Sequence, residues 1–412
     1  VVKSSSALEK RAQAFMEDFE KSMGAGTLRR GTKKKKYETI STGSIVLDVA
    51  TGVGGYVRGR IAQIHGPQDL GKTTLAFAAC AEAQRANPDQ MVGYIDVENK
   101  VDEEWAEAWG VDRSRWFLYV PPTAEDTADA VKRMLSAGLK EGKPLFSFVV
   151  VDSIGAMIGR VEMEKNADED TVAVVARIVT RMVKHATSFL PRSNAAMLVI
   201  NQVRANISTT GYGPKVELPG GWALKFCTTL GLQVRGTDKT APAATIGGER
   251  IPVGRYTAIK VERNKVAPAG RVATILLNTV ATKTTPVGID KPDEAFQVGD
   301  KLDIITRSGS NYTLPDGSRH NGQPRTIEYL RAHPEVVEEI RQRAIAMHEA
   351  EIIEDEPPEL PDDPTDDLLE GSEPAEEPSG PPEADLETGE IAGAAQALVE
   401  AARAESDSYM DL

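Results

Sequence analysis

The stretch GPQDLGKTT, residues 66–74, has the spacing G-x-x-x-x-G-K-[ST] of a phosphate-binding loop. Gly66 and Gly71 let backbone approach phosphate oxygens closely. Between them Pro67, Gln68, Asp69 and Leu70 carry the chain around, and the amides of residues 69–73 cradle a β-phosphate at a helix N-terminus. Lys72 neutralises charge between β- and γ-phosphates, the Thr73 hydroxyl ligates Mg²⁺, and Thr74 completes the first turn. A second acid fits this loop: FSFVVVDS ends an apolar run on Asp152, where a carboxylate is costly unless it meets a partner such as a Mg²⁺-bound water. Alone, an acid at a strand end more often caps a turn; with the loop upstream, the metal role is favoured. YIDVEN then sets Asp96 and Glu98 two residues apart. Glu98 is the candidate to orient or deprotonate the attacking water, and Asp96 is read as structural. Gln202, after MLVIN, stands at another strand's end, where open α/β sheets bind ligands. It reads as a γ-phosphate sensor, or equally as a surface glutamine.

These groups need a scaffold that brings strand ends together. Apolar runs RIAQIH (60–65), MVGYID (91–96), WFLYV (116–120), LFSFVVVD (145–152) and AAMLVIN (195–201) alternate with helical patterns near 72–87, 124–138 and 172–190. That alternation predicts a mostly parallel sheet with helices on both faces. GRYTAIKVE (254–262) and RVATILLN (271–278) read as a hairpin closing the core. Leu8, Ala12, Phe15, Met16, Phe19 and Met23 recur at helical spacing, which predicts an amphipathic N-terminal helix. Residues 280–348 begin turn-rich and end in a helical run, a small α+β appendage. The expected organisation is an arm (1–36), a core (37–279), the appendage (280–348) and a tail (349–412).

The net charge of −14 conceals two halves: residues 349–412 hold 22 acids and one base, so the first 348 residues carry +7. A basic body suits polyanions, and an acidic tail competes with them; a solubilising tail is the plainer alternative. EDEPPELPDDPTDD is rich in proline and acid, which predicts disorder. Two cysteines, Cys80 and Cys227, give no disulfide framework. No apolar run approaches the ~20 residues of a membrane helix, and VVKSSSALEK lacks a secretory core. The expectation is a soluble, cytoplasmic protein without membrane partners.

The segment from Glu38 to Thr74, YIDVENKVDEEWAEAWGVD (94–112), VVVDSIGAM (149–157), INQVR (200–204), GGWALKF (220–226) and KVERNKVA (260–267) together resemble the RecA recombinases, in that family's order. The likeness runs from about residue 8 to about residue 345. It implies a RecA-like P-loop ATPase core of α/β class, with an N-terminal helical arm, a small α+β C-terminal domain and a disordered acidic tail. It further implies a DNA-dependent ATPase that uses ATP and Mg²⁺, forms helical filaments on single-stranded DNA, pairs with duplex DNA and exchanges strands. Partners implied are further copies of the chain, single-strand-binding protein, loader proteins and a repressor whose self-cleavage the filament promotes. A RecA-like motor or helicase and a filament scaffold are the alternatives.

Residue roles follow from the same resemblance. Glu98 matches the catalytic glutamate and Gln202 the γ-phosphate switch before the second DNA loop. Asp102 and Trp105 fall where adenine is held, with Trp in place of the usual Tyr. Arg263 and Lys265 match basic residues that reach the neighbouring protomer's ATP, and Phe226 an interface phenylalanine. DNA loops fall at 161–172 and 203–221. Val172, Ala173, Arg177, Lys184, Arg204, Asn206, Tyr212, Gly220 and Gly221 are the matching DNA contacts. The first loop departs in its acids Glu162, Glu164, Asp168, Glu169 and Asp170, and the run Lys33–Lys36 is unusual. The Gln68-Asp69-Leu70 interior also departs, setting an acid beside phosphates.

Overall fold

The computed structural model describes residues 6–23, 37–164, 172–202, 204–205, 216–217, 221–246, 248–282 and 285–354. The Lys33–Lys36 run, most of both expected DNA loops and the tail beyond residue 354 lie outside them.

Eight strands build the central sheet: β1 (Ile61–Gly66), β2 (Met91–Asp96), β3 (Trp116–Tyr119), β4 (Phe146–Asp152), β5 (Ala196–Gln202), β6 (Thr228–Arg235), β7 (Gly254–Asn264) and β8 (Val272–Asn278). Their spatial order is β8-β7-β6-β1-β5-β4-β2-β3. From β6 to β3 every pairing is parallel, while β7 runs antiparallel to both β6 and β8. Parallel pairing puts the C-terminal ends of β1, β2, β4 and β5 on one edge. The register is close: Gly66 faces Gln202, and Asp96 faces Asp152.

The helices, in chain order, are α1 (Ser6–Met23), α2 (Ile45–Ala50), α3 (Lys72–Ala86), α4 (Glu103–Ala108), α5 (Ala124–Ser136), α6 (Arg160–Glu164), α7 (Val172–Ser193), α8 (Gly221–Cys227), α9 (Lys291–Lys301), α10 (Gln323–Ala332) and α11 (Pro334–Glu354). Both faces of the central strands are covered, which is why β1, β2, β4 and β5 are buried along almost their whole length. On β4, Phe148 and Val150 pack toward Leu75, Ala79 and Cys80 of α3. Val149 and Val151 pack the other way, toward Val131 and Leu135 of α5 and Val183 of α7. Each buried valine of this kind contributes roughly 1.5–3 kcal/mol.

The structure corrects the expected layout in three places. β6 lies between β1 and β7; it is not among the expected strands, although Leu230, Leu232 and Val234 alternate in it. It starts directly after α8, and Gly231 sits where the register shifts beside β7. A Cβ at Gly231 would come within 3.2 Å of the Arg263 Cβ, so a small residue suits that crossing. The single helical run expected after residue 325 is two helices, parted at His333 before Pro334. The second of them continues through Glu354, past the expected start of the tail.

α2 joins the core to the C-terminal elements. Ile45 and Val49 share a cluster with Phe296 of α9 and Ile340, Ala344 and Ile345 of α11. Glu294 of α9 accepts from Ser44 Oγ at 2.9 Å and the Ile45 amide at 2.7 Å, closing the α2 N-terminus. Burial pushes the Glu294 carboxyl up to about 8, against the pull of those hydrogen bonds. Arg341 of α11 donates to the fully buried Asp48 at 2.7 Å and to the Gly54 carbonyl at 2.7 Å. Removing one partner of such a pair leaves a buried charge alone. Arg341→Met should therefore lower unfolding stability by about 3–5 kcal/mol in urea titration, an effect that a surface arginine such as Arg343 would not reproduce.

Candidate nucleotide site at the sheet edge

The phosphate loop is shaped by backbone that only a few residues tolerate. Gly66 has φ +155°, and a Cβ there would stand 2.4 Å from the Val234 carbonyl oxygen. Gly71 has φ +83°, and its Cβ would meet Leu277 Cδ1 at 2.3 Å. Asp69 takes φ +55°, a left-handed conformation that Asp enters more readily than most side chains. This gives the odd loop interior a conformational reason. From the sheet, Thr257 Oγ1 donates to the Leu70 carbonyl at 3.2 Å.

Lys72 opens α3 with its side chain buried, and its Nζ donates to the Pro67 carbonyl at 2.5 Å. Burial holds the Lys72 pKa below its usual value, opposed by the charges of Asp152, Glu98 and Asp69. One residue on, Thr73 Oγ1 donates to Asp152 Oδ2 at 2.7 Å. Tyr94, on β2, donates to the same oxygen at 2.8 Å. Asp152 is almost wholly buried, and desolvation pushes it up to about 6, while the Thr73 and Tyr94 hydrogen bonds pull it back.

Glu98 sits across from this pair, in the turn after β2. Ser153 Oγ and Gln202 Nε2 both donate to its Oε1, at 2.6 and 2.5 Å. Lys100 Nζ donates to Oε2 at 3.0 Å. Burial raises the Glu98 pKa, but the Ser153 and Lys100 hydrogen bonds and the charges of Lys100 and Lys72 outweigh it, so the net position is below the usual value. Gln202 also accepts from Gln68 Nε2 at 3.2 Å. Asp96 instead accepts from the Lys100 and Val101 amides, each at 2.8 Å, and so shapes the turn that carries Glu98.

These groups line a cleft of about 760 Å³ whose far wall includes Gly254, Arg255 and Thr279. The donor set fits a magnesium–triphosphate complex. Narrow glycines, a buried lysine and a hydroxyl–carboxylate pair face one space. Burial raises the pKa of Asp152, so its ionised form is favoured when a further cation faces it. Among the described residues no group of three or more His, Cys, Asp or Glu could hold a metal on its own. A magnesium ion here would lean on phosphate oxygens and water, as that ion prefers.

Other expected residues fall elsewhere. The near wall reaches Lys100 and Val101, while Asp102 and Trp105 follow just beyond it. The Asp102 carboxylate caps α4, accepting from the Trp105 amide at 2.7 Å, and Trp105 packs edge-on to Trp109. Arg263 donates to the Lys225 carbonyl and Lys265 to the Phe226 carbonyl, at the end of α8. Phe226 itself is 65 % exposed. Val172 and Ala173 begin α7, and Arg177 and Lys184 are exposed along it. Arg181 is exposed between them at helical spacing, a third cation that pairwise reading passed over. Arg204 lies in a short strand paired with Val216–Glu217, and Gly221 is the first residue of α8. Asn206, Tyr212 and Gly220 lie outside the described residues. None of the described helices is long and apolar enough to cross a membrane.

A parallel sheet with a glycine-bounded loop at its C-terminal edge and carboxylates on the neighbouring strands defines an α/β protein of the P-loop class. Comparison with known proteins narrows this. Residues 10–281 match the family model of the RecA N-terminal domain, and residues 294–348 that of the RecA C-terminal domain. The chain is 31 % identical to Protein RecA of Lactobacillus delbrueckii subsp. bulgaricus over 385 residues, covering 92 % of this chain and 99 % of the relative. It is 32 % identical to Protein RecA of Staphylococcus carnosus, covering 81 % and 88 %. With Protein RecA of Symbiobacterium thermophilum identity is 33 %, covering 82 % and 92 %. The chain belongs to the RecA family of recombinases.

A raised Asp152 pKa has a direct consequence. Its carboxylate must be ionised to face a cation, so binding of magnesium–ATP, followed with a fluorescent nucleotide, should weaken as pH falls through about 6. Asp152→Asn should bind weakly throughout and keep only the pH dependence that comes from the nucleotide's own phosphate, which titrates in a similar range.

Proposed function

We propose that this protein is a DNA-dependent ATPase that polymerises on single-stranded DNA, pairs the strand with homologous duplex and exchanges strands. The observation that carries this reading is the hydrogen-bonded chain Gln68–Gln202–Glu98. It ties the phosphate loop and the water-orienting carboxylate to the residue from which segment 203–220 departs. A terminal phosphate that engages Gln202 would thereby bias that segment, which is the coupling a nucleotide-controlled DNA grip requires.

In the proposed site Lys72 and the loop amides bind the phosphates. Thr73 and Asp152 would hold Mg²⁺, which would supply charge neutralisation at the phosphoryl group. Glu98 orients the water and accepts its proton. Arg263 and Lys265 complete the site from the next protomer, so ATP is bound between subunits. To do so they leave the α8 carbonyls that hold them here. Residues 1–36 serve as the arm that packs on the neighbour, with Phe226 at the same interface. Arg177, Arg181 and Lys184 contact DNA phosphates, with affinity but no sequence preference.

Glu98→Gln should bind ATP and DNA yet hydrolyse roughly 10²-fold or more slowly, the contribution expected of a general base. Strand exchange assayed with ATP, with ADP and without nucleotide, alongside filament imaging, tests the whole reading. Duplex unwinding without exchange would favour a translocating motor instead. For the acidic tail the proposal is competition with duplex DNA. Because α11 runs through Glu354, the deletion belongs after that residue. Removing 355–412 should strengthen duplex binding and alter its salt dependence; unchanged binding would leave solubility as the tail's role.

A further inference from the structure

Lys100 has no part in the function proposed above, yet its ammonium lies on the carboxylate that function depends on. Its Nζ is 3.0 Å from Glu98 Oε2, while Ser153 and Gln202 occupy Oε1. Both oxygens of Glu98 are therefore engaged, and the one that Gln202 does not touch is taken by Lys100. A shift of Gln202 alone leaves Oε2 occupied.

The lysine is suited to exchange. Its side chain is 75 % exposed whereas that of Glu98 is 14 % exposed, so the flexible cation sits on the solvent side of a fixed anion. A cation that stays in solvent pays little to leave such a partner and is readily traded for a stronger anion. Lys100 lines the same cleft as the phosphate loop. Besides Glu98, the negative charges that act on it are Asp152 and Asp69, which flank the phosphate position. A triphosphate entering the cleft brings several negative charges against the single charge of Glu98.

We propose that Lys100 is a positioning residue for hydrolysis, divided in the ATP-bound protein between two anions: while it rests on Glu98 it blocks Oε2, and only when it rests on the triphosphate is Oε2 free for the attacking water. This rests on the reading of Glu98 as the water-orienting group. Lys100 thus restrains hydrolysis while it rests on Glu98 and strengthens nucleotide binding while it rests on the triphosphate. Its backbone amide caps Asp96 whatever its side chain does, so substitution leaves the turn intact.

The test uses the full chain with Lys100→Met and Lys100→Arg, and steady-state ATP hydrolysis measured with and without single-stranded DNA. Lys100→Met should raise the DNA-independent kcat about threefold or more and also raise KM for ATP. Lys100→Arg should keep both near wild type, because a guanidinium preserves the exchange. A raised KM with kcat unchanged or lowered would make Lys100 a plain phosphate ligand and overturn the proposal. So would an arginine variant that behaves like the methionine one, or no change in either constant. Glu98→Gln and the double variant with Lys100→Met are run alongside. Wild-type hydrolysis by Glu98→Gln would overturn the reading of Glu98 itself. With that reading intact, the stimulation by Lys100→Met must vanish in the double variant.

Discussion

A carboxylate at the end of a dry, apolar strand has to be held, and much of this molecule is arranged around holding Asp152. Thr73 reaches it from the first turn of α3 and Tyr94 from the neighbouring strand. For Thr73 to arrive there, the chain must turn sharply after β1, which places demands on Gly66, Asp69 and Gly71. For Tyr94 to arrive, its ring must be fixed, and it packs 5.6 Å from both Phe77 and Trp116. The aromatic cluster between α3 and the sheet is thus a support for one hydroxyl as well as a core. The same edge then receives Glu98 and Gln202, because parallel strands deliver their C-terminal ends to one side.

Around that fixed point the remaining polar groups are less committed. Glu98 is shared among a serine, an amide and a lysine, and Gln202 is shared between Glu98 and Gln68. Side chains with several competing partners can exchange them at small net change in free energy, because each protein hydrogen bond is worth little beyond the one it replaces. The rigid part of the site lies where phosphates would be cradled. The exchangeable part lies where the chain leaves for segment 203–220. That gradient runs in the direction that coupling between nucleotide and loop requires.

The sheet was legible in sequence where strands are buried on both faces, because runs such as FVVV carry no other plausible structure. The phosphate loop was legible because its glycines answer a steric demand that other residues cannot meet. β6 was not: only Leu230, Leu232 and Val234 mark its alternation, Gly231 interrupts it, and its place beside β1 depends on contacts far away in the chain. Lys100 was passed over because a lysine in an acid-rich turn resembles an ordinary solvated charge. Nothing local signals that Ser153 and Gln202 approach from other strands to make Glu98 a crowded acceptor. The same distance in sequence hid the α8 carbonyls that receive Arg263 and Lys265.

The helix Ile45–Ala50 carries a last implication. Six residues are too few to persist as a helix without outside support, since nucleation costs more than so short a ladder returns. Here the support comes from α9 and α11: Glu294 closes the first turn, Arg341 neutralises Asp48, and Phe296 and Ile340 cover the apolar side. The two segments matched by separate family models therefore share a structural element that neither completes alone. That shared element favours unfolding as one cooperative unit over two bodies that come apart in turn.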